Sequence, residues 1–386
     1  MTSVRSFRVV IGTLLVAALT LGWAHAVPAQ EPTPSPLPPF TESVPPDQFF
    51  RGKVVEIIGE RVGEVVGSPQ LQQIVLVEIA TAGGSRERVR AEFSAVVAGG
   101  AGQALRPGDA VIVVKSPPPD QTYFVADRDR SRPLAFIAAV FVALAVLLGR
   151  LRGVTSLVGL GITVVVLAEF VVPGILSGAS PLLVSVLGAL VIAVASIYLA
   201  HGFSRRTSIA VASTLITLTL SAFLAAAAVS VARLFGSGTE EAFYLQLGLL
   251  KQVNLRGLLL GGIILGAVGV LDDITTGQAA AVDEIHKANP ALPVRELYQR
   301  GRSVGTEHIT SLVNTLFLAY AGASLPLFIL FTINTYQPLW VTLSSEFVAE
   351  EIVRTLVGSI ALILAVPITT QMAAYVLGRG VGQVRP

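Results

Sequence analysis

Eight side chains in this sequence sit where a polar group is costly or where carboxylates gather: Glu169, Asp272, Asp273, Asp283, Glu284, Glu307, His308 and Asn314. Glu169 lies in Leu167-Ala168-Glu169-Phe170, near the end of a long apolar run. A carboxylate at the centre of a bilayer costs about 2.5–3.5 kcal/mol on insertion scales, so its presence marks a candidate ion path. Glu169 reads as a proton or cation site, or as an interfacial carboxylate that is hydrated or paired. Asp272-Asp273 closes a second apolar run and is followed by Asp283-Glu284. If a helix continues there, Asp272, Thr276, Ala279 and Asp283 share one face. Four carboxylates can guide cations or bind Mg²⁺ or Ca²⁺; they can equally form the solvated face of a helix. Glu307-His308 opens a third run, with Glu307, Ser311 and Asn314 on one face. Small polar residues at such positions line a path or bond a neighbouring helix.

Other chemistries are excluded by residue type. Cysteine is absent, which removes disulfides, thiolate metal sites and thiol catalysis. The four histidines, at 25, 201, 286 and 308, show no HExxH spacing. There is no G-x-x-x-x-G-K-[ST] string, so direct use of ATP is not expected, nor is any cofactor or resident metal. An intramembrane enzyme is the least expected class. The basic residues form no run or patch, so nucleic acid is not an expected partner; the lipid bilayer is.

The elements that must position these groups follow from composition. The chain has 386 residues, of which 53% are hydrophobic and 13% charged, and a mean hydropathy of +0.72. Soluble domains carry about 25% charged residues. Residues 1–132 hold 26 charges and residues 133–386 another 26 spread over nearly twice the length, so the first part is compositionally soluble and the second is not. Residues 1–26 have Arg5 and Arg8, then an apolar stretch, then Ala24-His25-Ala26, the parts of a secretory signal or a retained anchor helix. Residues 27–48 form a linker with eight prolines between 27 and 46, an extended spacer. Residues 49–130 read as a small β domain. Strands are expected over 52–58, 73–80, 87–93, 110–115 and 122–126, from alternation such as Val75, Val77, Ile79 and turns at Gly83-Gly84 and Pro107-Gly108. Five short strands in about 80 residues fit a barrel-like sheet. It serves either as a cap over the membrane part or as a module that binds a partner.

Residues 133–378 read as an all-α polytopic bundle. Seven spans are expected, over 134–148, 154–172, 181–199, 208–232, 255–271, 309–331 and 353–377, each near the roughly 20 residues a bilayer requires. Positive residues test this threading. With the β domain outside, the inner segments carry Arg5, Arg8, Arg150, Arg152, Arg205, Arg206, Lys287, Arg295, Arg300, Arg302, Arg379 and Arg385, against Arg233 and Lys251 in the short outer loops. That is the positive-inside asymmetry, and it puts the C-terminus in the cytoplasm.

An ordered series of motifs then resembles the YibE/YibF-like family of multi-pass bacterial membrane proteins. It comprises Gly266-Ala267-Val268-Gly269-Val270-Leu271-Asp272-Asp273, Asp283-Glu284-Ile285 leading to Asn289-Pro290, Glu296-Leu297, Gly301 through Gly305, and Asn314-Thr315-Leu316 through Gly322. It closes with Glu351-Ile352-Val353-Arg354 and Pro367-Ile368-Thr369. The resemblance spans roughly residues 50–377. It implies a leader or anchor, an extracytoplasmic β domain and about seven further helices, and it supplies no mechanism. One departure from the family pattern is Gln278 through Val282, where serine-rich small residues are usual. The function expected is a secondary permease for an ion or small solute in the bacterial plasma membrane. The alternative is a membrane scaffold or envelope factor whose β domain binds a partner. The sequence leaves the oligomeric state open.

Overall fold

The computed structural model describes residues 47–378, apart from 66–67, 82–83, 97–103, 119–120, 248–252 and 334–336. The expected leader, most of the proline-rich linker, and Arg379 and Arg385 lie outside the described residues. The chain divides into two compact units, one ending at Leu144 and the other beginning at Ala145.

The first unit contains a closed barrel of order β1-β2-β3-β5-β4. Its strands are β1 (Gln48–Val65), β2 (Ser68–Ala80), β3 (Arg86–Val96), β4 (Ala110–Lys115) and β5 (Tyr123–Arg128). All five expected strands are present, several of them longer than the alternation indicated. β1 pairs with β4 through its first third and with β2 through the rest, and irregularities at Val54/Glu56 and Ile57/Gly59 fall where it changes partner. Such bulges bend a strand and increase its twist, which closure requires. The inward set includes Val54, Val75, Val77, Ile79, Val89, Val111, Val113 and Val125. Gln73 is the polar exception inside. Its Oε1 accepts from the Leu105 backbone N–H at 2.8 Å, tying the loop before β4 to the core.

The second unit is helical, and the first of the helices begins within the barrel's unit, at Ser131. In chain order the helices are α1 (Ser131–Val165), a π-helical turn (Val166–Val171), α2 (Val172–Leu176), α3 (Pro181–His201) and α4 (Arg205–Val231). There follow α5 (Glu240–Leu247), α6 (Leu255–Ala288), α7 (Val294–Ala323), α8 (Leu325–Ile333), α9 (Leu339–Leu343) and α10 (Glu346–Gly378). Among the described residues five helices are long and apolar enough to cross a membrane: Ser131–Leu176, α3, α4, α6 and α10. The first of them runs for 46 residues but is broken at Arg150, whose backbone is non-helical at φ 52° and ψ −132°. Beyond the break Gly153 packs directly against the Ala145 carbonyl, a contact no straight helix permits and no Cβ would allow. The break falls between the first two expected spans.

α6 is the central helix and touches α3, α4, α7 and α10. It runs well past the expected end at 271, through Ala279-Ala280-Ala281, which are strong helix formers, and stops at Asn289-Pro290. The expected span over 309–331 is not one helix. α7 ends at Ala323 and α8 restarts at Leu325; Pro326 has no N–H for the Gly322 carbonyl four residues back, so the ladder cannot continue through this point. Pro367, in contrast, is accommodated inside α10. Side-chain caps start three of the described helices: Ser204 Oγ accepts from Thr207 N at 3.1 Å, Thr239 Oγ1 from Ala242 N at 3.2 Å and Asn254 Oδ1 from Gly257 N at 3.0 Å.

Candidate functional site

α3 and α6 lie side by side, and the stretch of α1 beyond Arg150 crosses them. Gly159 makes the crossing close: a Cβ there would sit 3.6 Å from the Ser196 Cα. Between the three helices is a cavity of about 460 Å³. Ser156 and Thr163 line it from α1, Ser196 and His201 from α3, and Asp272, Asp273 and Thr276 from α6. The rest of the wall is apolar and includes Leu160, Ile192, Leu265 and Val268.

Ser196 Oγ donates to Asp272 Oδ2 at 2.7 Å, which fixes that carboxylate against α3. Thr163 Oγ1 donates to its own helix at Gly159 O, 3.1 Å away, and Thr276 Oγ1 to Asp272 O at 2.8 Å. Hydroxyls that have spent their hydrogen in this way keep lone pairs for a visitor. Asp272 is the eighteenth residue of α6, about 26 Å along the axis from Leu255 at 1.5 Å per residue. Two carboxylates, hydroxyl oxygens and one imidazole thus share a partly enclosed space among apolar helices, and the balance of charge favours a cation. Among the described residues no group of three His, Asp or Glu side chains is placed to hold a metal ion.

The other residues singled out by sequence are elsewhere. Glu169 is exposed on the π-helical turn, flanked by buried Val166 and Val171; Leu167, two positions earlier, reaches the cavity but Glu169 does not. Asp283 and Glu284 lie further along α6, where Lys287 pairs with both at 2.8 Å. Asp272 and Asp283 therefore have separate surroundings despite sharing a helix face. Glu307, His308 and Asn314 are exposed on α7.

Sequence reasoning missed Ser156, Thr163, Ser196 and His201. The only signal for Ser196 is a hydroxyl within an apolar run, and its role depends on a partner 76 residues away. It also passed over Glu350, a fully buried carboxylate on α10. Glu350 Oε1 accepts from Gly238 N at 3.1 Å, while Glu346 Oε1 accepts from Phe235 N at 2.7 Å and Ser237 N at 3.3 Å. Positive φ at Arg233 and Gly236 turns these N–H groups toward the two carboxylates, a backbone nest clasped by the first turns of α10. Residues 301–305, Gly-Arg-Ser-Val-Gly, match the G-x-S-x-G pattern. They lie within α7 rather than at a strand-to-helix elbow, and both glycines have a packing role described below.

The family described as YibE/F-like protein matches residues 137–379. No curated protein and no solved structure matches the chain.

Proposed function

The chain belongs to the YibE/F-like family, and from that premise we propose that it is a multi-pass plasma-membrane permease for a cation or small cationic solute. The observation that carries this reading is the partly open cavity between α1, α3 and α6, with the half-buried Asp272 and the exposed Asp273 on its wall. A cation entering an apolar bundle loses its hydration, and fixed carboxylates and hydroxyl oxygens replace it. Ser196 orients Asp272, Asp273 stands at the more exposed side, and Thr163 and Thr276 offer oxygen lone pairs. His201, at the last residue of α3, stands on the same cavity.

Helix lengths and the distribution of positive residues support the threading. α3 has 21 residues, about 30 Å, the depth of a bilayer core. We read the helix broken at Arg150 as two crossings and α7 with α8 as one more. With α3, α4, α6 and α10 that makes seven, with the barrel outside and the C-terminus inside. The test is purified full-length protein in proteoliposomes, assayed in turn for H⁺, Na⁺, K⁺ and Mg²⁺ flux with ion-sensitive dyes. At least one cation should cross faster than in protein-free vesicles. Equal rates for all of them, and for small organic amines, would remove the permease reading.

A further inference from the structure

Glu350 has too few partners for a carboxylate. It is 2% exposed, and Gly238 N donates to it at 3.1 Å. Among the described residues it has no ion pair. Arg354, one turn further along α10, pairs instead with Glu351 at 3.4 Å, and Arg354 Nε is buried with no hydrogen-bond partner. A buried charge without a counter-charge is strongly disfavoured against the neutral form. One turn back on the same face of α10 is a second carboxyl, and the Glu346 and Glu350 side chains are hydrogen-bonded to each other. Two ionised carboxylates offer only lone pairs, so a bond between them needs a proton. Glu346 is the member held in its charged form, because Phe235 N at 2.7 Å and Ser237 N at 3.3 Å both donate to it.

We propose that Glu346 and Glu350 form a proton-binding site, in which Glu350 is a neutral acid donating to the Glu346 carboxylate at neutral pH, and that loss of this proton releases the 235–238 loop. The loop is wedged between two helix starts. A Cβ on Gly236 would overlap the Leu255 carbonyl at the start of α6, and one on Gly238 would overlap the Phe347 backbone at the start of α10. Leu234, just before it, is buried with Ala225, Val229, Leu259 and Val357. The carboxyl pair therefore fastens α6 to α10 through the loop. With Glu350 ionised, two negative charges face each other one turn apart on α10, while the Arg354 guanidinium is engaged by Glu351. Repulsion and hydration then draw Glu350 outward and free the Gly238 N–H. The other charged side chains on the adjoining segments, Arg233, Glu240, Glu241 and Arg256, are exposed and act through solvent. The closed loop binds one more proton than the open one, so closure is favoured at low pH and lost as pH rises. On the threading proposed above the loop faces outward, and the signal is external pH. None of these residues lines the α3–α6 cavity, so the proposal stands apart from the permease reading.

Glu350→Gln copies the neutral acid, since its amide carbonyl can accept from Gly238 N and its N–H can donate to Glu346. In infrared spectra of the full-length chain at neutral pH, the native protein should show the carbonyl band of a protonated carboxylic acid that Glu350→Gln lacks. Hydrogen exchange at the Gly238 amide is then compared between the two chains from about pH 6 to about pH 9. Taking the ratio of rates at each pH cancels intrinsic base catalysis. The native rate should gain on the variant by about tenfold or more across that range. Glu346→Gln, which removes the second carboxylate, is a separate route to the same band and should diminish it. A band that persists unchanged in both variants, the absence of any such band in the native chain, or a rate ratio that stays constant with pH would each overturn the proposal.

Discussion

Gly305→Ala is a sharp test of how the helical unit is held together. Gln278 is fully buried where α6, α7 and α10 meet. Its Nε2 donates to Gly301 O at 2.8 Å and to Thr370 Oγ1 at 2.7 Å. Gly301 and Gly305, one turn apart on α7, leave the room for that amide. A Cβ on residue 305 would lie 3.0 Å from both Nε2 and Oε1 of Gln278 and would overlap the Val366 side chain. The methyl must therefore displace the amide or separate α7 from α10. Losing two hydrogen bonds removes about 2 kcal/mol and overpacking adds about 1–3 kcal/mol. Alanine's higher helix propensity returns about 1 kcal/mol, so a net loss of about 2–4 kcal/mol is expected. Thermal melting of the detergent-solubilised chain should fall by roughly 5–10 °C, at a few degrees per kcal/mol for a unit of this size. Gln278→Leu is the contrast. It removes the amide together with Oε1, which has no partner, and Gly301 O sits within a helix that supplies its own donors, so this change should melt much closer to the native chain. Gly262→Ala, where nothing lies within 4 Å, should be neutral or slightly stabilising. The reasoning fails if Gly305→Ala melts within 1 °C of native, or if Gln278→Leu is the more damaging of the pair.

Three further outcomes follow from local geometry. Glu346→Ala removes the acceptor for Phe235 N and Ser237 N, so hydrogen exchange at those two amides should quicken at least tenfold while exchange in the centre of α10 is unchanged. In the barrel unit, the Arg130 guanidinium, bonded to Asp127 at 2.6 Å, and then the Arg128 backbone N–H hold the Asp127 carboxyl below its usual range. A lowered folded value stabilises the charged form. That contribution is complete above the ordinary carboxylate pKa of about 3.9 and disappears as pH falls through the lowered value, so Asp127→Asn should lower barrel stability slightly at pH 7 and converge with the native chain in acid, which flattens the acid limb of unfolding. Lys287→Ala breaks an exposed pair of contacts with Asp283 and Glu284 and should cost no more than about 1 kcal/mol in a melting experiment, with cation flux intact.

Local pattern and long-range contact divide what is legible in this sequence from what is not. The strands are readable because inward residues such as Val75, Val77 and Ile79 alternate strictly, and β pattern has a period that a short window captures. The helices of α3, α4 and α10 are readable because apolar length alone identifies them. The break at Ser324 needed more weight on Pro326 than on the apolar run around it. The continuation of α6 past Asp272 turned on three alanines outweighing two carboxylates. The site is less legible. Asp272 and Asp273 stand out by type, but Glu169 stands out as strongly and the fold leaves it exposed on a π-helical turn, away from the cavity. Ser196 and His201 join the site only because α3 and α6 run in one particular register, and no local signal specifies that register. Glu350 escaped notice because it sits in a helix start rich in glutamates, where burial depends on the 235–238 backbone folding over it.

The central claim is that a cation passes the carboxylates of the α3–α6 cavity. Its most direct measurement is flux of whichever cation the proteoliposomes carry, compared between the native chain, Asp272→Asn/Asp273→Asn and Asp283→Asn at equal reconstituted protein. Asp272 and Asp273 line the cavity, whereas Asp283 is held by Lys287 outside it. The double variant should lose at least tenfold of the flux, equivalent to about 1.4 kcal/mol or more on the barrier, and Asp283→Asn should keep most of it. Undiminished flux in the folded double variant, or an equal loss in Asp283→Asn, would contradict the assignment of the path to this cavity.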